Sequence, residues 1–141
     1  MYTKESFLTV EMVERVWKTF EWPHAYFVED IVDGINVSFP KSNFTFTEDY
    51  WWERVTVLFL PEDTKEKQFR VTIEDAIKIF APKVKISGWD FFRLKGPHSY
   101  ETVLEAVTRN SKLVNDYLLP VVNGDFSWVK DVKEQRLSKR K

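Results

Sequence analysis

The side chains of this chain that could do acid–base or metal chemistry are few and widely spaced. The 141 residues include two histidines and no cysteine. His24 and His98 each follow a proline, and neither has a second histidine three or four positions away, as a helical zinc site would need. We therefore expect both histidines to be ordinary surface residues of loops. Disulfides, thiolate metal sites and cysteine nucleophiles are excluded.

Carboxylates gather beside two predicted turns. The first group is Glu29, Asp30 and Asp33, and the second is Glu48, Asp49 and Glu53. Such oxygen ligands can bind a divalent cation, but solvated acidic turns explain them more simply. The chain has no Gly-rich phosphate loop and no Gly-x-Ser-x-Gly elbow, and Asp63-Thr64-Lys65 supplies only one piece of a nuclease pattern. We expect no catalytic residue, no metal and no cofactor, so the sequence favours a non-enzymatic protein over an enzyme.

The aromatic block at residues 50–52 indicates a function more directly. Successive side chains of a strand alternate between its faces, so three adjacent aromatic residues cannot all face one core. The block is either a lid over the end of the sheet or an anchor at a protein interface, where Trp and Tyr are over-represented. Acidic neighbours repel phosphate and suit a basic protein partner. The predicted partner-binding residues are Tyr50, Trp51, Trp52, Glu48, Asp49 and Glu53.

Charge and hydropathy limit the other partners. The net charge is −1, but residues 130–141 hold six Lys or Arg. We interpret this basic tail, from about residue 134, as a solubilising segment in preference to a nucleic-acid contact. No apolar run approaches the ~20 residues of a membrane span, and no secretory signal is visible. These features predict a cytoplasmic protein without membrane contact, and they leave the oligomeric state open.

Period-two alternation between residues 26 and 60 predicts four strands with one buried and one wet face. Their predicted ranges are 26–32, 35–39, 43–48 and 54–60. Asp33-Gly34 between the first two is typical of a tight hairpin turn. Alternating lysines around Val84 and Ile86 indicate a further short edge strand.

Helical spacing predicts one helix before these strands and two or three after them. Val13, Val16, Trp17 and Phe20 form a stripe that follows the N-cap candidate Thr9. Later helices are predicted after Thr72 and from Tyr100, the last of these ended or bent at Pro120. We therefore expect one α+β domain over residues 1–141, with a four-stranded antiparallel meander and helices in two layers.

The segment 115–128, NDYLLPVVNGDFSW, follows this acidic, aromatic-rich sheet. The arrangement resembles small cytoplasmic immunity-type and uncharacterised α+β proteins of bacteria. The resemblance implies a non-catalytic protein that binds and blocks a partner, often a toxin nuclease with a basic surface. It carries over no binding residue.

The sequence thus predicts a non-enzymatic protein-binding domain, an immunity-type inhibitor of a basic protein partner. The alternative is a small-molecule-binding protein or enzyme with an aromatic-lined pocket between the sheet and the long helix. A further alternative is nucleic-acid contact through the basic C-terminal tail.

Overall fold

The structure is a computed structural model that describes residues 7–31, 34–49, 54–59, 71–84 and 92–125, together with residue 134. Several predicted features lie outside these residues. They are the aromatic block 50–52 with Glu53, most of the edge strand predicted around Val84 and Ile86, and the basic tail apart from residue 134. The predictions for them stay predictions.

Helix α1, Val10–Trp17, begins where the sequence predicts. The hydroxyl of Thr9 accepts a hydrogen bond from the backbone N–H of Met12 at 3.2 Å, which satisfies one free donor of the first turn. The helix ends earlier than predicted, so Phe20 lies beyond it. The carbonyl of Trp17 accepts two hydrogen bonds, from the backbone N–H of Phe20 at 3.2 Å and from the indole N–H of Trp22 at 3.0 Å.

Five strands form one antiparallel sheet in chain order. Their bounds are β1 Phe27–Ile31, β2 Gly34–Ser38, β3 Asn43–Asp49, β4 Arg54–Phe59 and β5 Val71–Thr72. The four predicted strands and their meander are confirmed. The sequence does not predict β5, because two residues are too few to show period-two alternation. Val71 and Thr72 pair with the end of β4.

The first residue of β2 is a glycine, and at this position β2 approaches β3 closely. Gly34 pairs with Ile31 and belongs to β2, so the predicted placement of Gly34 inside the turn is wrong. A Cβ at position 34 would lie 2.1 Å from the carbonyl oxygen of Phe46 on β3. Any larger residue would therefore push β2 away from β3.

In the described residues, three helices of four or more residues follow the sheet. They are α2 Ile73–Phe80, α3 Tyr100–Tyr117 and α4 Leu119–Val122. The hydroxyl of Thr72 caps α2 by accepting a hydrogen bond from the N–H of Asp75, and Ser99 forms a capping box with Thr102 at the start of α3. Pro120 stands in the first turn of α4, where its missing N–H removes no helical hydrogen bond. Among the described helices, none combines the length and the apolar character that crossing a membrane requires.

The helices cover one face of the sheet, and an aromatic cluster around Trp17 lies in the core between them. Trp17 is fully buried and stacks on Trp22, with ring centroids 4.1 Å apart and planes 14° apart. Four further rings lie around it, those of Tyr26, Phe39, Phe44 and Phe46. Aromatic pairs add roughly 0.5–1.5 kcal/mol each beyond the area that they bury. The predicted α+β architecture, with a sheet packed against helices, is confirmed.

The opposite face of the sheet carries polar side chains. The sequence predicts that this face is wet, but its centre is buried. Asn36 is 9% exposed and Thr45 4%. The amide oxygen of Asn36 accepts a hydrogen bond from Thr45, and its amide nitrogen donates one to Ser38 at 2.8 Å. Ser38 in turn donates to Asn43 at 2.8 Å. These small polar side chains need little water because they satisfy each other across the strands.

Candidate functional site

The end of β3 contributes two of the six predicted partner-binding residues, Glu48 and Asp49. The remaining four, Tyr50, Trp51, Trp52 and Glu53, lie outside the described residues. The backbone of Asp49 pairs with that of Arg54 at the last position of the β3–β4 register. The strand register places this end of β3 at the same end of the sheet as the Ile31–Gly34 pair, where β1 ends and β2 begins.

Glu48 lies on the buried face of β3, because it continues the alternating series of Phe44 and Phe46. Its side chain is 8% exposed. Oε2 accepts a hydrogen bond from the backbone N–H of Phe7 at 3.1 Å and lies 2.8 Å from Nε2 of His98. Buried carboxylates need such partners. Glu48 is therefore bound within the chain, and its role in partner binding stays a prediction that its position does not support.

The two histidines have different environments. His24 is exposed as expected, and its Nε2 lies 2.8 Å from Oδ1 of Asn123. The expectation of a surface side chain is wrong for His98, which is 9% exposed and packs against the ring of Phe7 at a centroid distance of 5.0 Å. The reason is Glu48, whose buried carboxylate binds the imidazole and so holds the loop before α3 against β3.

The described residues show no metal site. Nowhere in them do three or more Asp, Glu or His side chains come together as a metal ion would require. The Glu48–His98 pair is a carboxylate that orients an imidazole, an arrangement that can serve structure as well as acid–base chemistry. Its described contacts, with the Phe7 N–H and the Phe7 ring, are structural.

Strand β1 is one of the two edges of the sheet that the described strands form. Among the described strands it pairs with β2 alone. Phe27 is 59% exposed and Ile31 39%, and in the described part of the chain Tyr100 is the one other large hydrophobic residue so exposed. Glu29 lies between Phe27 and Ile31 on the same face of the strand, and Asp30 is exposed on the other. The edge thus combines apolar and acidic side chains.

An open apolar groove of about 250 Å³ adjoins the start of β1. Its lining residues are Ala25, Tyr26, Phe27, Ser38, Phe39 and Pro40. The rings of Tyr26 and Phe39 lie 5.8 Å apart. Burial, with a smaller contribution from the charge of Glu14, raises the pKa of the Tyr26 hydroxyl. The groove is smaller than the roughly 300–1,000 Å³ of drug-sized sites, and it suits a single side chain better.

In the described part of the chain, α3 contributes buried side chains to its interface with the sheet. Val103, Val107 and Val114 of α3 are fully buried, and the helix packs on β4. The groove lies where β1 begins and β2 ends, at the Phe27–Ser38 pair. It is therefore not the aromatic-lined pocket that the alternative function places between the sheet and the long helix.

No known family model matches the chain, and no curated protein and no solved structure matches it either. The resemblance to immunity-type proteins therefore stays a prediction. Function has to be argued from the residues of the site.

The sequence contains one signal for the exposure of β1 and one for the burial of Glu48. The first strand of a meander lies at an edge of its sheet, so the apolar and acidic side chains of residues 27–31 had to be partly exposed. Interpreting Glu29 and Asp30 as residues of a solvated turn misses this. Similarly, position 48 continues the face of Phe44 and Phe46, which predicts a buried carboxylate with a partner elsewhere in the chain.

Proposed function

We propose that the protein is a non-enzymatic protein-binding domain that blocks a basic protein partner, as bacterial immunity-type inhibitors do, and that it acts in the cytoplasm. The observation that carries this proposal is the β1 edge, where Phe27 and Ile31 are exposed beside Glu29 and Asp30. Burial of the apolar side chains supplies affinity. The carboxylates steer a basic partner and select against an acidic one.

The predicted aromatic anchors, residues 50–52, belong to the same proposal. β3 ends at Asp49 and β4 begins at Arg54, at the end of the sheet where Ile31 ends β1. A partner bound along β1 can therefore extend towards the connection that carries the aromatic block. The carboxylate of Glu48 is engaged inside the chain, so the proposal does not rest on it.

The experiment is capture of the partner from the source cell's lysate by the native protein and two charge variants. Glu29→Lys/Asp30→Lys reverses the charge of the edge. The control Glu21→Lys/Glu101→Lys changes the net charge equally at two exposed carboxylates outside β1. We expect one stoichiometric basic protein that the control retains and the edge variant loses. Equal capture by both variants, or no captured protein at all, would contradict the proposal.

A Trp51→Ala/Trp52→Ala variant tests the aromatic anchors separately. If they are hot spots, each substitution weakens the captured partner's binding by about 2 kcal/mol or more, at unchanged thermal stability. Unchanged binding with lowered stability would assign both rings to a lid over the sheet, and the proposal would then rest on β1 alone.

A further inference from the structure

Strand β1 protects its edge with the acidic side chains of Glu29 and Asp30 alone. Natural edge strands are very short, bulged, or carry proline or charged side chains, lysine above all. The register of β1 runs without a bulge from the Phe27–Ser38 pair to the Ile31–Gly34 pair, and its sequence FVEDI contains neither lysine nor proline. The other edge, β5, has only two residues and leads directly into α2. β1 is therefore the edge on which a further strand can form.

A second copy of β1 is a poor occupant of this edge because of its charges. Antiparallel pairing of two copies centred on Glu29 would place the two Glu29 side chains opposite each other, with both Asp30 side chains nearby. Like charges directly opposite one another destabilise a strand pair. A strand that carries lysine or arginine opposite Glu29 and Asp30 forms favourable charge pairs with these carboxylates.

We propose that an extended basic segment of the partner adds to β1 as an antiparallel strand. The inference rests on the proposed function and gives it a docking mode. Opposite Glu29 and Asp30 the segment carries basic residues, one on each face of the strand. Opposite Val28 and Ile31 it carries aliphatic residues, and opposite Phe27 an aromatic one. Main-chain hydrogen bonds to β1 supply affinity, and the side-chain pattern supplies specificity.

The groove beside Phe27 provides the anchor for this segment. The side chain opposite Phe27 would reach over this ring into the groove, whose volume of about 250 Å³ accommodates one ring. Tyr26 and Phe39 line the groove, and aromatic rings favour another aromatic ring over an aliphatic chain. The aromatic end of the segment thereby fixes both the direction and the register of the added strand.

A synthetic peptide tests the docking mode without the natural partner. From its N-terminus it consists of threonine, valine, arginine, lysine, valine, tyrosine and threonine, so that arginine opposes Asp30 and lysine opposes Glu29. Two analogues replace backbone N–H groups by ester oxygens. One has esters at the first valine, lysine and tyrosine, and the other at arginine and the second valine. Because alternate residues direct their N–H groups to the same side of a strand, only one analogue loses donors to β1.

We expect the all-amide peptide to bind the native protein and the Glu21→Lys/Glu101→Lys control, but not Glu29→Lys/Asp30→Lys. One ester analogue should bind at least about tenfold more weakly, since it lacks two or three hydrogen bonds, and the other should bind like the parent. In the complex, alternate amides of Phe27–Ile31 should exchange their hydrogens more slowly than in the free protein.

Equal binding of the two ester analogues contradicts strand addition, and so does failure of the all-amide peptide to bind below about 1 mM. A native dimer whose β1 amides are protected without peptide contradicts it as well, because a second copy then occupies the edge. If the peptide fails while the captured partner still depends on Glu29 and Asp30, the proposed function stands and strand addition does not.

Discussion

Two acidic regions of the same sheet have opposite environments. At the end of β3, Glu48 is buried and bound to the Phe7 N–H and to His98. On β1, Glu29 and Asp30 are exposed beside apolar side chains. The first carboxylate holds the chain together, whereas the other two are available to a partner. An acidic residue near a predicted interface therefore counts towards binding only if its strand and its face leave it exposed.

The largest expected effect is the loss of stability when the buried carboxylate of Glu48 is removed. The contrast between the two regions fails if this loss is small. Glu48→Ala leaves the half-buried Phe7 N–H and the His98 imidazole without this acceptor, so the free energy of unfolding should fall by about 2–4 kcal/mol. Glu29→Ala, at an exposed position, should change it by less than about 0.5 kcal/mol. Urea denaturation of the two variants measures both values. Equal small losses would mean that Glu48 is exposed in solution.

The exposed edge predicts the second largest effect, on binding and not on stability. Phe27→Ser/Ile31→Ser removes apolar area that a partner buries, so the affinity for the captured partner should fall by roughly 2 kcal/mol, or about thirtyfold. Titration calorimetry measures this change. Tyr100→Ser is the matched control, since Tyr100 is also exposed but lies on α3. A loss of affinity as large in the control would remove β1 as the binding edge.

A double-mutant cycle sharpens the contrast between the two regions. Glu48→Ala and His98→Ala each remove the other residue's partner. The change in unfolding free energy of the double variant should therefore differ from the sum of the two single changes by about 1 kcal/mol. Glu29→Ala and His98→Ala should add within about 0.5 kcal/mol, since no described contact joins them. Additivity in the first cycle would show that the 2.8 Å contact between Glu48 and His98 contributes nothing to stability.

The smallest effect concerns the groove at the start of β1. Burial raises the pKa of Tyr26 above its usual 10.0, so the folded state holds this proton more tightly than the unfolded state does. The resulting stability is fully present below pH 10 and is lost as the pH rises through the raised pKa. Tyr26→Phe should remove this loss. If the unfolding free energies of native protein and variant fall in parallel above pH 10, Tyr26 is not buried.

The meander could be predicted because its information is local. Alternation in residues 35–39, 43–48 and 54–60 fixes strands and faces, and short connections make neighbours pair. Strand β5 could not be predicted from two residues. The Glu48–His98 contact joins residues 50 positions apart, so the sequence can predict a buried carboxylate at position 48 but not its partner.

The edge was harder to predict than the strands because exposure depends on what lies beside a strand. As the first strand of the predicted meander, β1 should lie at an edge, and the described topology shows it pairing with β2 alone among the described strands. Glu29 lies on the edge strand β1, whereas Glu48 lies on the buried face of β3. The prediction of Glu48 as a partner-binding residue used the acidic composition of its segment and not the alternation of its strand.

Hydrogen exchange at the two edges of the sheet, with and without the all-amide peptide, tests the central claim most directly. The account predicts slower exchange at alternate amides of Phe27–Ile31 and unchanged exchange at Val71 and Thr72. Unchanged exchange along β1 at saturating peptide, or equal slowing at both edges, would contradict it.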